Sequence, residues 1–177
     1  MVATSPFAIL LEYDRLCRAN APGLPVGEVV EDDWVGIGFK LNGNPLVAKM
    51  ADVVEILPPP ETIKVPGVRS WVKGLANVRG TLLPILDMGA YLNGTFIPPG
   101  KEKRVLIINK QNVMAGLLVE EVFGMRRFKP ELKNEASPSG MAEIDPYLGG
   151  EFTDAQFTWR IFDVEKLVTH DKFLRVV

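Results

Sequence analysis

Carboxylates, one histidine, one cysteine and an arginine closing a polar row are the side chains here with chemical potential. The carboxylates to weigh are Glu55, Asp87 and the adjacent Glu120 and Glu121. Hydrolysis by paired carboxylates needs two of them held several ångströms apart, one with its pKa raised by burial. Glu120 and Glu121 are consecutive in an extended run, so they face opposite sides and cannot share a substrate. A carboxylate-dependent hydrolase is therefore the weak reading. The single histidine, His170, and the single cysteine, Cys17, are too few and too far apart in sequence for a His/Cys metal site. His170 lies in an amphipathic C-terminal pattern with acids beside it and reads as a surface residue of a helix. Cys17 alone cannot make an internal disulfide, which fits a reducing compartment. No glycine-rich phosphate loop is present. The expectation is a chain without metal, cofactor or catalysis.

What remains is the row Lys73, Leu75, Asn77 and Arg79. In a strand these four share one face, while Val72, Gly74, Ala76 and Val78 share the other. The second face is small and apolar, suited to a core. Gly80 adopts positive φ without steric cost, so the chain should reverse tightly at Arg79-Gly80. Leu82–Leu86 then returns as a strand, and Pro84 puts part of it at a sheet edge. Asp87 is a good N-cap for a short mid-chain helix from Met88 to Leu92, which Asn93-Gly94 stops. Upstream, Asp52–Leu57 reads as a strand whose Val53, Glu55 and Leu57 face sets one carboxylate between two branched aliphatics. On the residues alone, that carboxylate reads equally well as a solvated strand charge or as a functional group.

These elements belong to a chain of 177 residues, one domain's worth and enough for a sizeable core. Twenty basic and 22 acidic residues leave no footprint for nucleic acid or an anionic membrane. Lys73, Arg79 and Arg69 make only a modest basic patch. No apolar run is long enough to span a bilayer, and the N-terminus lacks a signal pattern, so a cytoplasmic protein is expected. Sixteen glycines and fourteen prolines lie scattered between short β-branched runs, which favours barrels or a sandwich.

Taken in order, Ser5-Pro6-Phe7 opens a helix, with Phe7, Leu10, Leu11 and Cys17 on one side and Glu12, Arg15 and Arg18 largely opposite. Ala21–Pro25 ends it. The helix either packs on the β domain and covers an edge or serves as a partner-binding appendage. From Trp34 the period is two, with a hairpin turn at Asn42-Gly43-Asn44 and a return over Pro45–Met50. Pro58–Pro60 is a stiff turn, and the Gly/Pro-rich stretch Asn93–Gly100 is a candidate divider between two β units. Arg104–Ile108 reads as a strand buried on both faces, and Val113–Phe123 completes a hairpin. Arg126–Gly150 is expected to be loop with one edge strand, followed by short strands at Glu151-Phe152 and Phe157–Phe162. Asp163 caps a C-terminal helix bearing Val164, Leu167, Val168 and Phe173.

Val65-Pro66, Gly74-Leu-Ala-Asn-Val-Arg-Gly80 and Leu83-Pro-Ile-Leu-Asp87 together closely resemble the signature of CheW-like domains, the adaptors of bacterial chemosensory arrays. Val78 replaces the usual Leu and Met88 the final Leu, both conservative in volume. The resemblance implies a mainly β fold of two small five-stranded SH3-like barrels on a shared core, with N-terminal, mid-chain and C-terminal helices. It divides the chain into a helix and turn over 1–25, a CheW-like domain over 34–170 and a C-terminal end over 171–177. It also implies a non-enzymatic adaptor that joins a methyl-accepting chemoreceptor tip to a CheA-like, chemotaxis-type histidine kinase. Such an adaptor is cytoplasmic, sits at membrane-anchored receptor arrays, and needs no cofactor, nucleic acid or membrane insertion. CheW-like domains carry a Glu where Glu55 stands, and usually an Asp where Glu120 stands.

The partner-binding residues implied are Glu55 and Arg79, with Asn77, Gly80 and Lys73, and the outward aliphatics Val53, Leu57 and Leu75. Glu55 and Arg79 are expected to pair, because sequential strands are usually neighbours. The N-terminal helix, the following Gly-Leu-Pro turn and Ser70-Trp-Val-Lys-Gly74 resemble the adaptors that control type IV pili and twitching motility. A flagellar chemotaxis adaptor is the alternative.

Overall fold

Period-two patterning becomes eleven strands among the described residues: β1 (Trp34–Leu41), β2 (Asn44–Lys49), β3 (Val53–Leu57), β4 (Val72–Val78), β5 (Thr81–Asp87), β6 (Arg104–Lys110), β7 (Val113–Val119), β8 (Glu121–Phe128), β9 (Lys133–Asn134), β10 (Leu148–Thr153) and β11 (Thr158–Phe162). Helices are α1 (Pro6–Asn20), α2 (Met88–Asn93), α3 (Val164–Val168) and α4 (Asp171–Leu174). The computed structural model describes residues 6–20, 33–135, 142–153 and 158–176. The expected cap Ser5, the turn at 21–25 and Phe157 lie outside them. The chain forms two compact units, Met1–Glu31 and Asp32–Val177. Within the first, α1 carries Phe7, Leu10, Leu11, Tyr13 and Leu16 exposed.

The second unit holds two sheets. One has six strands in the order β8-β1-β2-β11-β10-β9, and the other five in the order β3-β6-β7-β5-β4. The sixth strand is only the two-residue β9, so the expectation of paired five-stranded sheets differs by a small edge piece. The division between them is not at Asn93–Gly100, as the glycines and prolines there suggested. That stretch joins β5 to β6 inside the five-stranded sheet. The whole of β3–β7 is instead an unbroken insertion into the six-stranded sheet, entered through the 3-10 turn Met50–Asp52 and left at Glu120. Entry and exit fall at opposite ends of β1, where Lys49 pairs with Gly36 and Glu121 with Lys40.

Two-residue turns with positive φ at both positions set three hairpin registers: Asn42-Gly43, Arg79-Gly80 and Gln111-Asn112. This backbone matches the twist of the flanking strands. Inner faces of both sheets then meet in one core, with Phe39, Leu46 and Phe162 from the first and Ala76, Ile85 and Ile107 from the second. Val105–Ile108 is buried throughout, as its continuous apolar run requires. On the far face of the six-stranded sheet a smaller cluster gathers Val47, Phe152, Trp159 and Ile161.

Two sequence expectations need correction at the C-terminal side. Strand β8 does not end near Phe123 but runs to Phe128, because Gly36 and Trp34 of β1 offer partners to Arg126 and Phe128. Its charged residues broke the apolar pattern without breaking the ladder. The C-terminal helix is two helices. Asp163 caps α3 through Glu165 and Lys166 N–H groups, and His170 caps α4, its Nδ1 accepting the Lys172 N–H at 3.1 Å. His170 is thus a cap between helices and not a residue within one.

The Tyr91 and Tyr147 hydroxyls meet at 2.8 Å in the core, beside Trp71 and Phe173. Burial first, and the Tyr147 bond second, push the Tyr91 hydroxyl above the usual tyrosine range. Tyr91→Phe or Tyr147→Phe alone should destabilise the fold by about 1–3 kcal/mol, since each strands one buried hydroxyl. The double variant should lie closer to the parent than the two single losses summed. Urea denaturation of all four proteins checks this, and strict additivity would show that the hydroxyls do not act as a pair.

Candidate partner-binding surface around Glu55 and Arg79

Strand β4 follows its sequence pattern: Gly74 and Ala76 are buried, while Lys73, Asn77 and Arg79 are exposed. At the hairpin tip Arg79 takes φ 49° and Gly80 φ 87°. The left-handed region is costly for a residue with a Cβ and is found at tight turns and functional sites. Asn77 holds the turn by accepting the Gly80 N–H on Oδ1 at 2.8 Å. From this tip the Arg79 guanidinium reaches Glu55, with Nη2 and Nε donating to the one oxygen Oε1 at 2.9 and 3.2 Å. The Arg79 side chain is 81% exposed and that of Glu55 27%. Arg79 Nη1 and Glu55 Oε2 have no protein partner among the described residues, so both charges keep bonding capacity facing outward.

The pair forms as expected, but not for the expected reason. Strands β3 and β4 are not neighbours; they are the two outer strands of the five-stranded sheet. Their side chains meet because the sheet curls until its edges approach. The connection between them helps to close the gap. Ile63 lies along the outer edge of β4 and exchanges both backbone hydrogen bonds with Leu75, at 2.8 and 2.9 Å. A Cβ on Gly74 would fall 2.3 Å from the Ile63 carbonyl oxygen, and Gly74 has φ 140°. Only glycine lets the two backbones come this close.

Other expected site residues divide. Lys73, Asn77 and Gly80 are exposed on the β4 hairpin, and Leu75 is half-buried. Val53 and Leu57 are not outward aliphatics; both pack against the shared core, and the exposed residues of β3 are Val54 at 60% and Ile56 at 37%. The alternation was right and its sense inverted: the core takes the face that carries Glu55, and the edge position of β3 leaves that carboxylate partly in solvent. Sequence reasoning also missed Leu82, which is 60% exposed and pairs across the hairpin with Asn77. Counting two residues on from Gly80 would have found it. Pro84 lies where β5 has only β4 beside it, before the pairing with β7 starts at Ile85.

Two of the remaining carboxylates, Asp87 and Glu120, have structural work. Asp87 is fully buried, accepting the Ala90 N–H at 3.1 Å and the Ile97 N–H at 3.3 Å, so it caps α2 and anchors the next loop. Glu120 accepts the Gly43 N–H at 3.2 Å and ties the first hairpin to the chain's return crossing. Among the described residues no three His, Cys, Asp or Glu side chains group as metal ligands. None of the helices described is long and apolar enough to cross a membrane.

A model of the CheW-like domain matches residues 35–172. The chain belongs to the CheW-like family. It is 41% identical to the protein PilI of Pseudomonas aeruginosa over 97% of this chain and 96% of that one. The chemotaxis protein CheW of Bacillus subtilis is 28% identical over 59% of this chain and 67% of its own length. Among solved structures, the scaffolding protein TtCheW of Thermoanaerobacter tengcongensis superposes with a TM-score of 0.70 at 18% identity, over 79% of this chain and 95% of that one. The likeness to PilI takes in α1, which the CheW-like domain model leaves out.

A tip arginine held in a left-handed backbone is a cost to folding. In a Glu55→Gln background, where no ion pair is at stake, Arg79→Asn should raise stability by about 0.5–1 kcal/mol, because asparagine suits that position. Gly74→Ala should lower stability by more than about 1 kcal/mol by forcing Ile63 off the β4 edge. Thermal unfolding measures both, and a neutral Gly74→Ala would mean that the Ile63 contact is dispensable.

Proposed function

We propose that this CheW-like protein is a non-enzymatic adaptor. It couples a methyl-accepting chemoreceptor to a chemotaxis-type histidine kinase, at membrane-anchored receptor arrays, in a pathway controlling type IV pilus twitching motility. The observation that carries the reading is the Glu55–Arg79 pair, presented from a left-handed turn position where folding alone gives no reason for an arginine. Around it Asn77, Gly80, Lys73 and Leu75 form the remainder of the partner surface, joined by the exposed Leu82. Val53 and Leu57 support that surface from the core side. Similarity to PilI over nearly the whole chain favours the twitching pathway over a flagellar one, since the likeness to CheW covers a smaller share.

An exposed ion pair contributes only about 0–1 kcal/mol to folding. Removing a charge that becomes desolvated in an interface costs about 2–5 kcal/mol of binding. Arg79→Ala should therefore leave thermal stability nearly unchanged and sharply reduce receptor control of kinase activity in a reconstituted receptor–kinase mixture. Arg79→Lys should also be impaired, since an ammonium does not reproduce the planar fork. In the exchange of Glu55→Arg with Arg79→Glu, coupling should stay lost; its full recovery would make the pair merely structural. Deleting residues 1–24 should leave the β unit folding cooperatively while weakening one pathway-specific contact. Aggregation of that deletion would place α1 in the fold itself.

A further inference from the structure

Two grooves of the β unit share Arg69 as a common wall. One, of about 330 Å³, is lined by Lys64, Arg69 and Lys73 together with Ser70, three valines and Phe96. The other, of about 350 Å³, is lined by Arg69, Trp71, Asp171, Lys172 and Arg175. Five cations thus lie along one track with a single carboxylate, in a chain whose net charge is −2. Among the described residues Lys64, Arg69 and Lys73 have no acidic partner. The one acid, Asp171, faces Arg175 at 3.9 Å, with both side chains more than three-quarters exposed. Lys172 has only a backbone carbonyl and a ring for company, those of Tyr91. Burial lowers the Lys103 pKa first; Asp87 opposes the shift, and Lys73 adds to it.

Cations left unpaired beside apolar surface are complementary to a chain that carries carboxylates and aliphatic side chains together. Phe96 is 51% exposed at this place, and Val65, Val68 and Val72 give the groove its apolar part. We infer that this track is a second docking surface, and that its occupant is an acidic, extended segment of a protein partner, with an apolar side chain seated against Phe96. Of the track's two aromatics only Phe96 is exposed and Trp71 is buried, so it does not offer the row of stacking platforms that a single strand of nucleic acid uses. Nor does one exposed ring make the broad apolar face by which proteins enter a membrane surface. Lys73 is the second residue of β4 and Arg79 lies in the turn after its end, six residues or about 20 Å further along. Lys73 thus borders both surfaces, whereas Lys64, Arg69 and Phe96 belong to this groove alone, and binding of the acidic segment is measurable without receptor or kinase.

The test uses the full chain and a short fluorescein-labelled peptide of alternating Glu and Leu, followed by fluorescence anisotropy. Binding should weaken as salt is raised, because the cations are exposed to solvent. It should loosen by about tenfold or more in Arg69→Glu and in Lys64→Glu, and remain unchanged in Arg79→Ala. Arg69 supports the fold through its backbone, bonded to Val176 and Val72, so its side chain can be reversed in charge without touching those bonds. Lys64→Glu repeats the measurement at an independent position. Absence of peptide binding, parental affinity in both Glu variants, or equal loosening by Arg79→Ala would overturn the assignment. So would tighter binding of a thymidine oligonucleotide, of phosphatidylglycerol vesicles or of a phosphoserine peptide than of the Glu–Leu peptide.

Discussion

Closure of the five-stranded sheet is the constraint on which the site depends. A curled sheet of this size still has two outer strands, and each presents unpaired backbone groups. Here one edge is covered by its own chain: Ile63 runs beside β4 and takes both hydrogen bonds that Leu75 offers. That approach requires a residue without a Cβ at position 74. With the edge covered, β3 and β4 lie near enough for one guanidinium to bridge them. The glycine that opens the family signature and the arginine that nearly closes it are therefore parts of one arrangement, carried by the same strand and its turn.

Much of this was legible in the residues. The hairpin at Arg79-Gly80, the alternating faces of β4, the cap at Asp87 and the edge position of Pro84 all follow from local rules of turn and strand chemistry. Tertiary facts were less accessible. The pairing of Glu55 with Arg79 was expected from neighbouring strands, and it arises from opposite edges of a curled sheet. The sense of β3 was inverted, because alternation names two faces without saying which the core will take. The Gly/Pro-rich stretch after α2 looked like a boundary between β units, yet its residues serve a buried carboxylate, with Ile97 bonded back to Asp87. Strand β8 was cut short because Arg126 and Arg127 interrupt an apolar run; ladder hydrogen bonds belong to the backbone and tolerate charge on an exposed face.

Buried polar groups of this molecule fix position. Asp87, buried without exposure, holds a helix start and a loop together, and the two core tyrosines satisfy each other. Such groups specify one arrangement of an otherwise apolar interior. The charges left outside lie toward the two ends of β4, a basic groove at its beginning and the arginine hairpin at its close. The recognition features proposed for this CheW-like protein are thus strung along one strand.

The two crossings between the sheets have a mechanical meaning. A lobe attached by one linker swings about it, and small residues at such a hinge absorb the change. Here the inserted sheet is attached at Met50–Asp52 and again at Glu120, beside opposite ends of β1. Those ends are separated by about 13 Å of strand, from Gly36 to Lys40. A panel fixed at two separated points resists rotation about either one. A push on the arginine hairpin is then delivered to the six-stranded sheet as displacement of the whole body, with little lost to bending between the halves.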